Sequence, residues 1–189
     1  LELLQSKLAA LAAEAQLAAS ASASSLEWLG VRHPVRHERV KLALHQAAEY
    51  TQQAEQMMNE GDTAAAAAGG AGAGSSDALD ARLALYDKAI NALAEARSHV
   101  RNAAKGLSGP DAESHYRELE GLEGAVEGQR LVRAVERTQL LLAHTAGRFA
   151  AGLQRLALGK KIKDKERHAR PEEVLRLLDQ LGRQLEELG

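Results

Sequence analysis

Cysteine is absent from the 189 residues. That removes disulfides and thiolate-held metals from consideration and fits a reducing compartment. Aromatic residues are nearly as scarce, at one Trp, one Phe and three Tyr, so any core is built from aliphatic and small side chains. Eight Val, two Ile and four Thr are too few β-branched residues for a substantial sheet. No apolar run reaches the roughly 18 residues of a membrane span, and no signal peptide is visible.

What is abundant is Ala, Leu, Glu, Gln and Arg, all good helix formers. The expected fold class is all-α, an antiparallel helical bundle or short helical solenoid ending in a long C-terminal helical hairpin. The length suits one helical domain over 1–189, and an opening on Leu1 rather than Met marks it as a fragment of a longer protein.

Along the chain, a first helix is expected over Leu1–Ala19, striped by Leu1, Leu4, Leu8 and Leu11. Leu26 to Val35 holds the only tryptophan, Trp28, then Gly30 and Pro34. Because proline disfavours helix at the residue before it, this stretch is expected to be extended or turned, with Trp28 and Pro34 forming a structural docking element. A helix starting near Arg36 or His37 then carries Val40, Leu44, Ala47, Thr51, Ala54 and Met58 to about Asn59. The Gly/Ala/Ser tract at 61–76 lacks large apolar side chains and is expected to be a flexible loop. Its GGAGAG run is followed by no Lys-Ser/Thr and preceded by no strand, so it is not a phosphate cradle.

Asp77 caps a third helix striped by Leu79, Leu83, Tyr86, Ile90, Leu93 and Val100, which ends near Lys105-Gly106. A turn at Gly109-Pro110-Asp111 leads into a further helix reaching Leu158. Gly121, Gly124 and Gly128 predict a bend or break within it, since each costs about 1 kcal/mol relative to Ala. Beyond the break, Val135, Leu142, Phe149 and Leu156 repeat every seven residues and share one face. After Pro171, Val174, Leu178, Leu181, Leu185 and Leu188 form a second stripe. Those two striped segments are the expected hairpin, joined by a basic connector at 160–170.

Net charge is −2, but residues 130–170 hold 11 Lys+Arg against 3 Asp+Glu while the rest hold 13 against 23. Lys160, Lys161, Lys163, Lys165, Arg167 and Arg170 of the connector could neutralise several phosphates, with Arg133, Arg137, Arg148 and Arg155 extending the charge onto the helix. Arg32, Arg36, Arg39 and Lys41 form a smaller cluster. No aromatics are interleaved with these cations, so RNA contact would be to the backbone rather than by base stacking. For a metal, His33 and His37 stand four apart but straddle Pro34, and no Glu-x-x-His pair exists. Ser98-His99 and Ser114-His115 are helical neighbours pointing about 100° apart and make no nucleophile–base pair. No enzyme, cofactor or metal is expected.

Three places carry a family resemblance. They are Leu26-Glu27-Trp28-Leu29-Gly30 with Pro34-Val35 and Arg39-Val40; Gly152-Leu153-Gln154-Arg155-Leu156; and Arg170-Pro171 with Val174-Leu175-Arg176-Leu177 and Asp179. In this order the chain resembles the middle helical region of the 68-kilodalton subunit of the eukaryotic signal recognition particle. Leu29 and Val31 stand where relatives carry arginines, and the Gly/Ala tract resembles a lineage-specific insertion. The resemblance implies a non-catalytic scaffold acting in co-translational targeting of secretory proteins to the endoplasmic reticulum. It further implies a principal RNA-binding domain upstream and, downstream, a segment that grips the 72-kilodalton subunit. The implied partners are that subunit, the particle's RNA and the ribosome. The implied setting is the cytoplasm, with the nucleolus during particle assembly. A generic helical adaptor with no RNA role is the alternative reading of the residues themselves.

Overall fold

In a computed structural model the chain is described over residues 23–67, 76–105 and 111–157, with Leu107, Gly109 and a few isolated positions besides. Four helices account for nearly all of it: α1 Ala23–Arg32, α2 Pro34–Ala67, α3 Ser76–Ala104 and α4 Ala112–Ala157. No strand occurs among the described residues, and the fold is an all-α helical bundle. Helix α3 packs along both α2 and α4, and α1 touches α2 and the start of α4. No helix is long and apolar enough to cross a membrane among the described residues.

The core is thin and aliphatic. Val40, Ala43 and Ala47 of α2 meet Ala89, Leu93, Ala96 and Val100 of α3 and Leu119, Leu122 and Val126 of α4. Alanines at one-turn spacing let helix axes approach, while Leu and Val fill the space between them. The two buried threonines are satisfied locally: Thr51 Oγ1 donates to the Ala47 carbonyl and Thr138 Oγ1 to the Ala134 carbonyl, each at 2.8 Å. The α3 stripe is buried as its spacing predicts at Leu79, Leu83, Tyr86, Leu93 and Val100. On α2, Val40, Ala47, Thr51 and Ala54 are buried, but Met58 is 41% exposed.

Three expectations are corrected. The segment around Trp28 is helical through Arg32, and the departure from helix before Pro34 is confined to His33. His33 alone separates α1 from α2: its N–H donates to the Leu29 carbonyl (2.8 Å), the last bond of α1, and its carbonyl accepts from the His37 N–H (2.9 Å), the first bond of α2. Pro34 occupies the first position of α2, where a missing N–H costs little. The two helices meet at a break, and α2 begins two or three residues earlier than expected. Gly30, four residues before the proline, faces the His37 ring, and a Cβ there would lie 3.3 Å from its atoms.

Helix α2 also runs on through Ala67, into the tract read as a loop. The alanines of that tract have the highest helix propensity of any residue and extend the preceding helix. Residues 68–75 lie outside the described residues.

The third correction concerns α4, which is continuous over 46 residues with no break at Gly121–Gly128. Tertiary contacts offset the glycine cost: Leu122 and Val126 sit in the core, and Ala125, Val126, Glu127 and Gly128 are all buried, more than a full turn enclosed on every side. The turn before α4 uses Gly109 at φ 110°, a left-handed conformation that glycine adopts without a Cβ penalty. Gly109 and Asp111 carbonyls accept the first N–H groups of α4, from Ala112 and His115.

The first expected helix, the connector at 160–170 and the second arm of the C-terminal hairpin lie outside the described residues, apart from isolated helical positions. On the first arm Val135 and Leu142 are buried, as the seven-residue spacing predicts.

Candidate functional site

The described surface offers two chemically distinct regions. The first is a network of charges between α3 and α4. Arg97 Nε donates to Glu123 Oε1 at 2.9 Å, and its Nη1 lies 3.0 Å from Glu127 Oε2. Arg101 also engages Glu123, and Arg130 forks both arms onto Glu127 from one turn further along. Glu127 is 4% exposed. Burial alone would push its carboxyl up, but the hydrogen bonds and charges of Arg130 and Arg97 overcome this and hold it below the ordinary carboxylate range. Glu123 behaves likewise, with burial opposed by Arg101 and Arg97. Farther along α4, Arg137 grips Asp87 of α3 through Nε (2.8 Å) and Nη2 (3.2 Å). Between these ties, burial and then the Glu136 carboxylate raise the Tyr86 phenol above its usual value.

This network changes the meaning of the basic helix face. Arg130, Arg133 and Arg137 are each committed to a carboxylate, Arg133 to Glu136 at 2.7 and 2.9 Å. They neutralise the bundle's own acids and do not extend the connector's charge along α4 as expected. Arg148 has an interaction of its own. Lys160, Lys161, Lys163, Lys165, Arg167 and Arg170 lie outside the described residues, as does the Arg155 side chain.

The second region is the α1–α2 junction. Trp28 packs half-buried against the core, its ring 4.8 Å from that of His115 on α4 and 6.3 Å from that of His33. Ser25 Oγ adds a 3.0 Å bond to Glu118. Trp28 thus docks α1 onto α4, but the fully buried residue is its neighbour Leu29, which stands where relatives carry an arginine. Pro34 itself is exposed at the junction.

Arg32 ends α1 and Arg36 and Arg39 lie in the first turns of α2, and none pairs with a carboxylate among the described residues, whereas Lys41 lies 3.7 Å from Glu38. Beside them, Val31, Val35 and Leu42 are 81%, 67% and 57% exposed. Sequence patterning missed these three. Their only signal was negative: none falls on the stripe containing Val40, Ala47 and Ala54.

The histidine and serine candidates have other engagements. His37 packs on Gly30 and approaches Glu38, His99 approaches Glu95, and Ser98 Oγ accepts from Asn102. No group of three metal-ligating side chains occurs among the described residues.

Long helices packed side by side and tied across α3 and α4 by ion pairs define an all-α helical bundle. The family model for SRP68, described as RNA-binding signal recognition particle 68, matches residues 1–189, the whole chain. The chain belongs to that family, which supports a signal recognition particle subunit role with RNA binding, in a ribonucleoprotein. No individual curated protein and no solved structure matches it.

Proposed function

We propose that this chain is a stiff, non-catalytic spacer. It would hold an upstream RNA-binding domain at a set distance from a downstream segment that grips the 72-kilodalton subunit, in the cytoplasmic particle that targets ribosomes making secretory proteins to the endoplasmic reticulum. One observation carries the reading. Helix α4 runs unbroken for 46 residues, about 70 Å at 1.5 Å per residue, and cross-helix ion pairs tie it to α3 from Glu123 to Arg137. Family membership favours this over a generic adaptor with no RNA role.

The test is a flexible Gly/Ser insertion after Gln129 in the full-length parent. RNA and partner binding should survive, measured separately, while co-translational translocation falls. Translocation at the parent level would defeat the spacer reading.

Contact with RNA phosphate is assigned to Lys160, Lys161, Lys163, Lys165, Arg167 and Arg170. It is supported by their six cations against two acids, Asp164 and Glu166, within 160–170 and by family membership.

A further inference from the structure

We infer that α1 is a proton-sensitive clasp: an imidazolium at His115 tightens the hold of Trp28 on α4, so falling pH favours docking of α1 and rising pH loosens it. The inference is independent of the spacer reading.

Three side chains attach α1 to α4. Leu29 is fully buried in the core that also holds Leu119 and Leu122. Ser25 Oγ donates to Glu118 Oε2 at 3.0 Å. The Trp28 ring lies 4.8 Å from that of His115 with the planes 35° apart, nearer to stacked than to edge-on. Past Arg32 the helix breaks at His33, so α1 is a ten-residue unit joined to α2 through one non-helical residue. A helix this short has little stability of its own, and its docking contacts decide whether it stays in place. Because α1 joins residues 1–22 to the bundle, its attachment fixes where they enter.

Charge gives the direction. Of the three contacts only the ring pair responds near neutrality, since histidine changes charge between about pH 5 and 8. His115 lies inside the roughly 6 Å within which a cation is attracted to an indole face. His33 meets the same indole edge-on at 6.3 Å, outside that range. Asp111 and Glu118 flank His115 along α4 itself and are present whether or not α1 is docked. Docking brings up Glu27 and Arg32 of α1, one charge of each sign, with His33 at the junction and His37 of α2 already 3.3 Å from Glu38. The neighbouring charges offset one another, and the indole face decides the sign. An imidazolium gains on docking what a neutral imidazole does not.

Thiol protection in the full-length parent tests this. Ser25 is 3% exposed, so Ser25→Cys reacts with dithiodipyridine only when α1 lifts from α4. Labelling of that peptide is followed by mass spectrometry from about pH 8 to about pH 5.5 and normalised at each pH to an unstructured thiol peptide. Protection should rise by about three- to tenfold on acidification. The rise should vanish in His115→Gln and in Trp28→Leu, which keeps an apolar contact without a ring face, and should persist in His33→Gln. Circular dichroism confirms that these variants keep their helix content. Ala96→Cys, in the core of α3, reports global unfolding and should show no such rise. Flat or falling protection overturns the proposal. So does a rise that survives His115→Gln or Trp28→Leu, one that His33→Gln abolishes, or one matched at Ala96→Cys.

Discussion

Arg97 on α3 reaches to 3.0 Å from Glu127 on α4, a carboxylate that is 4% exposed. Breaking a buried pair by removing one partner leaves the other charge uncompensated. Glu127→Ala should therefore destabilise the domain by about 3–5 kcal/mol, measured by urea unfolding. A loss below about 1 kcal/mol would place the pair in the surface class.

The same carboxylates set the acid limit. Both Glu123 and Glu127 titrate lower in the folded chain than an ordinary glutamate. Their contribution is therefore fully present above the unfolded value, near about 4.3. It is lost as pH falls through the lower folded values, because the unfolded chain then binds more protons. Unfolding free energy should drop steeply below about pH 4–5. Glu127→Gln should flatten that drop, and a slope equal to the parent's would remove Glu127 as its source.

Glycines at different places should respond with different signs. At Gly121 and Gly124 of α4 an added Cβ meets nothing within 4 Å. Alanine there should stabilise by about 0.5–1 kcal/mol, raising the thermal midpoint. Gly30→Ala places its Cβ 3.3 Å from the His37 ring and should give no such gain. Gly109→Ala must hold φ near 110° and should lose about 1 kcal/mol or more.

Core and surface should separate in the same assay. Leu93, 1% exposed, should cost about 2–5 kcal/mol as Leu93→Ala, through lost burial and the cavity left behind. Val31→Ala, at an 81% exposed position, should stay within about 0.5 kcal/mol.

Stiffness of α4 is directly measurable, since the absence of cysteine makes spin labelling specific. Labels at Glu113→Cys and Gln154→Cys, both exposed, should show one narrow distance distribution near about 60 Å. A broad or short distribution would mean that α4 is hinged in solution.

Much of this molecule is local physics written along the chain. Propensity and the scarcity of β-branched residues determined that it is helical, and one-turn spacing picked out Val40, Ala47, Leu83, Leu93 and Val100 as core. Motif order likewise pointed to the family. Tertiary structure alone decided the rest, because local penalties of about 1 kcal/mol per glycine are small beside long-range burial and ion pairing. Enclosure of Val126 and Glu127 keeps α4 continuous past three glycines, and α2 opens on Pro34 only one residue after α1 ends. Which arginines neutralise the bundle and which face outward was equally unreadable in sequence. Arg97 meets Glu127 only once α3 folds back along α4, and a pairing across thirty residues leaves no mark in composition or period.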